Sequence, residues 1–356
     1  MKFYCLILFV LVLSSCGVKD TTVVKIYPVD SIEFRSPAYV STESINFGLN
    51  SNSDVTIVYV DSERRNIFVV NNLGNVIDSF PFPKQITDSR ASLEYNNKEV
   101  TIFSLSDNIL LKLNKKETIV YPVANRTLFL NPAFANFEVI NNTALFYQLP
   151  LNSLTAARDS EGFFDIKILG IYGISNDTFV QIKSFVTYPR VFQKLKYPEM
   201  PPVCNRKNEN ELYYLFNFSD SLSFIDISTN KLVNYHIEGF PKCKLSPYHR
   251  DSMSILSYSK RQMLKNEIFA KILFDKSSSD FILIKLLGIE QETKNSLYEN
   301  NFQDKPVAVY LVRNFKVSKI LNIENGNSVS TINSYFFKGK LYISSADRAK
   351  IYVYSM

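Results

Sequence analysis

Apolar residues run through this chain in short blocks divided by small polar turns, and the clearest block is Glu211–Pro241. Within it Leu212–Phe218, Leu222–Ile227 and Leu232–Ile237 read as three successive strands. Ser219-Asp220 and Ser228-Thr229-Asn230 separate them, residue types whose side chains bond to nearby backbone and turn the chain. The block closes on Phe240-Pro241. Its inner partner is placed in Tyr197–Cys204, which would make a four-stranded unit.

Variants of the block recur. Val55–Val60, Ile67–Val70 and Val76–Phe80 form one; Val100–Leu105, Ile109–Leu113 and Thr118–Val123 another. A stretched third unit has Thr143–Leu149, Phe163–Ile171 and Thr178–Val186, with the polar loop Ser153–Gly162 inside it. The fifth has Glu267–Phe274, Phe281–Leu287, Val307–Val312 and Lys316–Ile323, and the last has Thr331–Phe337, Leu341–Ser345 and Ile351–Tyr354. Such a hairpin repeat, at roughly forty to sixty residues, lies in the period range of propellers. Ser259–Ala270 is long enough for two helical turns, and no long helix is expected elsewhere.

Several strands do not alternate. Leu212–Phe216 (LYYLF) and Phe281–Leu287 (FILIKLL) are almost continuously apolar, as strands covered on both faces should be. Short antiparallel strands leave exposed edges, and a closed ring of sheets removes most of them. The expected fold is therefore all-β, a β-propeller of six four-stranded blades. The C-terminal unit shows three strands, while Lys25–Phe34 stands alone near the N-terminus. We expect Lys25–Phe34 to close the ring beside Ile351–Tyr354.

The N-terminus sets an expected address. Lys2, the apolar run Leu6–Leu13 and then Ser14-Ser15-Cys16-Gly17 read as a signal peptide too short to span a bilayer. Leu13-Ser14-Ser15-Cys16 resembles the lipobox of bacterial lipoproteins, which implies a diacylglycerol on the Cys16 thiol. The expected organisation is residues 1–15 as signal, 16–22 as lipidated tether and 23–356 as a single propeller. Gly17 after the cysteine resembles signals that do not retain lipoproteins in the inner membrane, so the expected place is the cell envelope, at the outer membrane. Removing Lys2 lowers the formal net charge from +6 to +5, which is no nucleic-acid signature. Hydrophobic residues make up 46% of the 356 and Gly only 10 of them, so a packed core forms without glycine-rich turns. Cys204 and Cys243 remain after processing; a disulfide between them is permitted in that compartment, and so are two buried thiols.

Ser223–Tyr235 (SFIDISTNKLVNY), Lys305–Ile323 (KPVAVYLVRNFKVSKILNI) and Tyr335–Ser345 (YFFKGKLYISS), together with the lipobox, resemble a family of bacterial lipoproteins of unknown function, of the six-bladed TolB-like propeller type. The resemblance implies the same fold and brings no catalytic residues.

Chemistry is sparse. The two histidines, His236 and His249, have no second ligand at metal spacing, and no nucleophile elbow, phosphate loop or dinucleotide fingerprint is present. No cofactor and no metal site are expected. The outer-to-inner links do carry Tyr and Arg, which suit carboxylate, sugar or peptide recognition. Arg126, Tyr188, Arg190, Tyr197, Tyr248, His249 and Arg250 are the candidate ligand-binding residues, on the one face of the ring where such links emerge. The functional expectation is a non-catalytic binding or scaffold module. Its partners would be the membrane, through the lipid, and an envelope protein, peptide or glycan. The alternative is a propeller enzyme, a glycan hydrolase or lyase, working with carboxylates near the central mouth.

Overall fold

A computed structural model describes residues 23–34, 45–50, 52–61, 65–87, 91–132, 137–151, 164–189, 201–245, 264–289, 305–323, 329–346 and 349–356. Strands β1 (Val23–Ile26) and β2 (Asp30–Glu33) come first. Blade 1 is β3 (Ile45–Leu49), β4 (Val55–Val60), β5 (Asn66–Val70) and β6 (Val76–Pro81). Blade 2 is β7 (Ala91–Asn96), β8 (Glu99–Ser104), β9 (Ile109–Leu113) and β10 (Thr118–Pro122). Blade 3 has an inner strand in two pieces, β11 (Leu128–Asn131) and β12 (Val139–Ile140), both on β13 (Thr143–Pro150), followed by β14 (Lys167–Ser175) and β15 (Thr178–Thr187). Blade 4 is β16 (Val203–Arg206), β17 (Glu211–Leu215), β18 (Ser221–Asp226) and β19 (Lys231–His236). Blade 5 is β20 (Ile268–Phe274), β21 (Phe281–Leu286), β22 (Val307–Arg313) and β23 (Lys316–Ile323). Blade 6 is β24 (Val329–Phe337), β25 (Lys340–Ser345) and β26 (Lys350–Ser355). The six sheets make a six-bladed β-propeller.

The apolar runs have a direct physical reason. Each blade packs on two neighbours, so successive residues of one strand enter different cores. On β17, Leu212 and Tyr214 pack toward blade 3, while Tyr213 and Leu215 pack toward blade 5. On β21, Ile282, Ile284 and Leu286 face blade 6, and Phe281 and Leu283 face blade 4. Six buried clusters result, one in each gap between adjacent blades.

The ring closes as expected, with a division of labour. Asp30–Glu33 pairs antiparallel with Val353–Lys350 as the outer strand of blade 6. Its Ile32 is 3% exposed and joins the cluster between blades 6 and 1. Lys25 and Ile26, expected in the same strand, instead belong to Val23–Ile26, which runs parallel to β23 as a fifth strand of blade 5. Two boundaries move as well. The third unit's middle strand starts at Lys167, and the inner strand of blade 4 is Val203–Arg206, later than the Tyr197–Cys204 expectation.

Turns rely on Asn where Gly is scarce. Asn97-Lys98, Asn141-Asn142, Asn176-Asp177 and Asn314-Phe315 each put two consecutive residues at positive φ in two-residue hairpins. Asn tolerates that left-handed region better than most residues. Elsewhere one side chain gathers the turn: Asp226 Oδ1 accepts the N–H groups of Ser228 and Thr229 at 2.8 and 3.1 Å. Among the described residues no helix is long and apolar enough to cross a membrane.

Candidate functional site

The inner strands bring their sparse polar residues toward the channel. Where a polar residue interrupts the apolar alternation of an inner strand, it ties one blade to the next. Asn46 on β3 donates both amide hydrogens, to Leu93 O at 2.5 Å and Phe137 O at 2.7 Å, linking blades 1, 2 and 3. Glu94 on β7 points away from the blade 1 side, and its Oε2 accepts Val139 N–H at 2.7 Å. Arg206 on β16 donates to Thr143 O and Oγ1 at 3.1 and 2.9 Å, joining blades 3 and 4. Asn205 Nδ2 donates to Ile272 O at 2.8 Å, joining blades 4 and 5. Asp275 Oδ2 accepts Gly339 N–H at 3.0 Å, joining the turns of blades 5 and 6.

Two of these tying residues, Asn46 and Glu94, line a cavity of about 230 Å³ at one mouth of the channel. Asn46, Phe47, Glu94, Tyr95, Asn96, Phe137, Glu138, Lys276, Ser334 and Tyr335 line it, so five of the six blades contribute. The break between β11 and β12 brings Phe137 and Glu138 to the mouth. Lys276 heads the β20–β21 turn, which Asp275 holds by accepting Ser277 N–H at 2.8 Å. From there the Lys276 ammonium crosses from blade 5 to pair with Glu138 of blade 3. Phe47 and Tyr335 stack at 5.9 Å with planes 7° apart, closing the gap between blades 1 and 6.

Three charges meet here, two carboxylates and one ammonium. Glu94 is 9% exposed. Burial pushes its carboxyl up from 4.5 to about 7; the Val139 N–H bond, Lys276 and Lys112 pull against that shift, and Glu99 adds slightly to it. Lys276 is pulled below its ordinary value by burial, against the attraction of Glu94. Tyr335 Oη is buried without a hydrogen-bond partner among the described residues. Its ionisation is pushed up, first by burial and then by Asp275 and Tyr342.

The cavity does not lie where the sequence points. Its residues sit late in the inner strands and in the hairpins after them; the outer-to-inner links emerge at the opposite face. Of the sequence candidates, Arg126 is exposed in the turn between β10 and β11. Tyr188 is a correction: it is 2% exposed, its hydroxyl lies 2.8 Å from that of Tyr147, and its ring packs in the core between blades 3 and 4. An aromatic next to Pro189 at the end of β15 fills the gap between blades rather than facing solvent. Arg190, Tyr197, Tyr248, His249, Arg250 and the lipidation candidate Cys16 lie outside the described residues. His236 is exposed on the outer strand β19. Cys204 is a buried thiol on β16 and Cys243 a half-buried one, both with ionisation pushed up to about 12 by burial. Among the described residues no three His, Cys, Asp or Glu side chains cluster as a metal site.

The cavity residues left one legible trace. Asn46 is a lone polar residue inside the apolar strand INFGL, a pattern that demands a buried partner; Glu94 lies on the polar side of the alternating strand ASLEYN and carries no such mark. Nothing in the sequence marks Glu138, Lys276 or Tyr335, because turns and a broken strand distant in sequence bring them together.

No protein-family profile matches the chain, and no curated protein sequence matches it. Solved structures do. A member of the DUF4221 family from Bacteroides vulgatus superposes with a TM-score of 0.69 at 13% identity, covering 94% of this chain and 98% of that one. Virginiamycin B lyase from Staphylococcus aureus superposes at 0.45 with 10% identity, over 92% of this chain and 98% of that one. At these identities the likeness is one of fold, and the Bacteroides protein shares that fold with this chain over nearly the whole length of both.

Proposed function

We propose that the protein is a lipid-anchored binding module of the cell envelope, held at the outer membrane through Cys16 and recognising an envelope ligand at the pocketed mouth of its ring. One observation carries the reading: the cavity spans five blades, and the charged groups in its wall also help to hold the ring together. Glu94 fixes the start of β12, and Glu138 is paired with Lys276. Carboxylates with structural duties suit a preformed recognition surface. The likeness to a lipoprotein family supports the anchor. A second reading is a propeller enzyme acting on envelope polysaccharide. It is favoured by the raised Glu94 carboxyl close to a second carboxylate, the arrangement of a general acid beside an ionised partner. It is disfavoured by Lys276, which neutralises that partner.

The test is capture of envelope components by the full-length protein, comparing wild type with Asn96→Trp and Cys16→Ser. Asn96 is an exposed rim residue of the cavity, and a Trp there fills the mouth without touching a blade-to-blade bond. Asn96→Trp should abolish capture, and Cys16→Ser should abolish lipid labelling and membrane fractionation. Capture unchanged by Asn96→Trp would remove the site, and a membrane-bound Cys16→Ser protein would remove the anchor. Hydrolysis of envelope glycan, lost in Glu94→Gln, would favour the enzyme.

A further inference from the structure

We infer that the cavity at the channel mouth is a receptor for a primary ammonium group on a slim aliphatic stem, such as the lysine side chain of a partner protein. The inference rests on the reading of this cavity as the recognition site and names what enters it.

Both amide hydrogens of Asn46 are used, on Leu93 O and Phe137 O, and its Oδ1 accepts Phe47 N–H at 2.9 Å. The Lys276 ammonium is engaged by Glu138. Ser334 Oγ donates to Thr331 O at 2.9 Å. The unspent capacity includes the second oxygen of Glu94, an acceptor, and the buried, unpartnered Tyr335 hydroxyl, which can accept or donate. A ligand that completes the ionised Glu94 carboxylate must donate to it, and an ammonium group donates three times without accepting.

Charge gives the same answer independently. With both carboxylates ionised, Glu94, Glu138 and Lys276 leave one negative charge uncompensated, and of the three groups Glu94 is the buried one. A buried charge of this kind requires a partner or a proton. Without a ligand Glu94 takes the proton, as its carboxyl, raised to about 7, indicates. A cationic ligand replaces that proton. The charged groups acting on Glu94 are Lys276, Lys112 and Glu99, and Lys276 is itself paired with Glu138. The rest of the wall suits a methylene stem. Phe47, Leu49 and Phe137 supply apolar surface, and the stacked Phe47–Tyr335 pair supplies aromatic surface that favours a cation nearby. An amino sugar carries its ammonium on a broad polar ring, which the apolar surface of Phe47, Leu49 and Phe137 suits less well than a methylene stem.

The test is calorimetric titration of full-length protein near pH 7 with Nα-acetyl-lysine amide, its Nε-acetylated counterpart and glucosamine. The lysine amide should bind, with at least tenfold preference over the Nε-acetylated form. Repeating the titration in buffers of different ionisation enthalpy should show release of about half a proton per bound amine at pH 7, because Glu94 gives up its proton. Glu94→Gln keeps the shape and the bond to Val139 N–H, and should weaken binding at least tenfold and abolish the proton release. Equal binding of the acetylated form, unchanged affinity in Glu94→Gln, preference for glucosamine, or no binding of the lysine amide would each overturn the inference. If no amine binds while Asn96→Trp still abolishes envelope capture, the cavity is the recognition site for another chemistry. If the lysine amide binds while capture ignores Asn96→Trp, the ammonium site stands and the module reading falls.

Discussion

At the scale of single residues, Glu94 is where a blade-to-blade bond and the proposed ligand site meet. It sits on an inner strand whose alternate residues Ala91 and Leu93 pack toward blade 1, so the pleat turns its carboxyl toward blade 3. Burial raises its pKa in the folded chain, so the folded state holds that proton more tightly than the unfolded chain does. The resulting stabilisation is complete below about pH 4.5 and is lost as the pH rises through about 7. The size is at most about 3 kcal/mol, from a shift of this order in a nearly buried group. Urea unfolding between pH 5 and pH 8 should show wild-type stability falling across that window. Glu94→Gln, which cannot titrate, should lose that part of the fall. Equal slopes for the two proteins would mean that Glu94 is ionised throughout. The sequence does not single out Glu94, which stands among Ser92 and Asn96 on the polar side of an alternating strand; its burial and its bond to blade 3 depend on the break between β11 and β12. Tyr188 shows the converse. An aromatic in a polar link reads as a surface residue, and its burial is set by the gap between two blades that no local pattern encodes.

Strands and turns carried the most information in the sequence. Apolar runs without alternation require cover on both faces, and ring packing provides it, with neighbouring residues of β17 entering different cores. The lone N-terminal strand and the three-stranded last unit together implied closure. What escaped was the split of that segment at Tyr27–Val29, after which only Asp30–Glu33 closes blade 6. Four residues make a short strand, so most of its contribution is Ile32 in the core between blades 6 and 1. Gly74 is fitted to the same place. With φ +76°, it leaves no room for a β-carbon, which would fall 2.3 Å from Glu33 O. Ile32→Ala should cost about 2–4 kcal/mol, as for other buried large-to-small changes. Deleting residues 23–34 should cost more, since it also exposes the edges of β26 and β23. Thermal unfolding measures both, and a truncated protein that melts at the wild-type temperature would refute closure by β2.

At the scale of the whole molecule, the two faces of the ring have different content. On one, the outer-to-inner links hold Lys244 N–H against Glu267 at 2.7 Å and Lys285 against the same carboxylate at 2.7 Å. On the other, the inner-strand ends and their hairpins build the cavity from five blades. Composition and loop chemistry favoured the first face, because Tyr and Arg accumulate there. The cavity on the second face was not legible, since it is assembled from single residues that long stretches of chain separate. Recognition at this second mouth is tested by hydrogen exchange of the full-length protein, with and without the envelope ligand it captures. Exchange should slow at residues 46–49, 94–96 and 334–337, with the outer-to-inner link at 240–245 unchanged. Protection confined to 240–245 and the other outer-to-inner links, with the inner-strand ends unaffected, would contradict it.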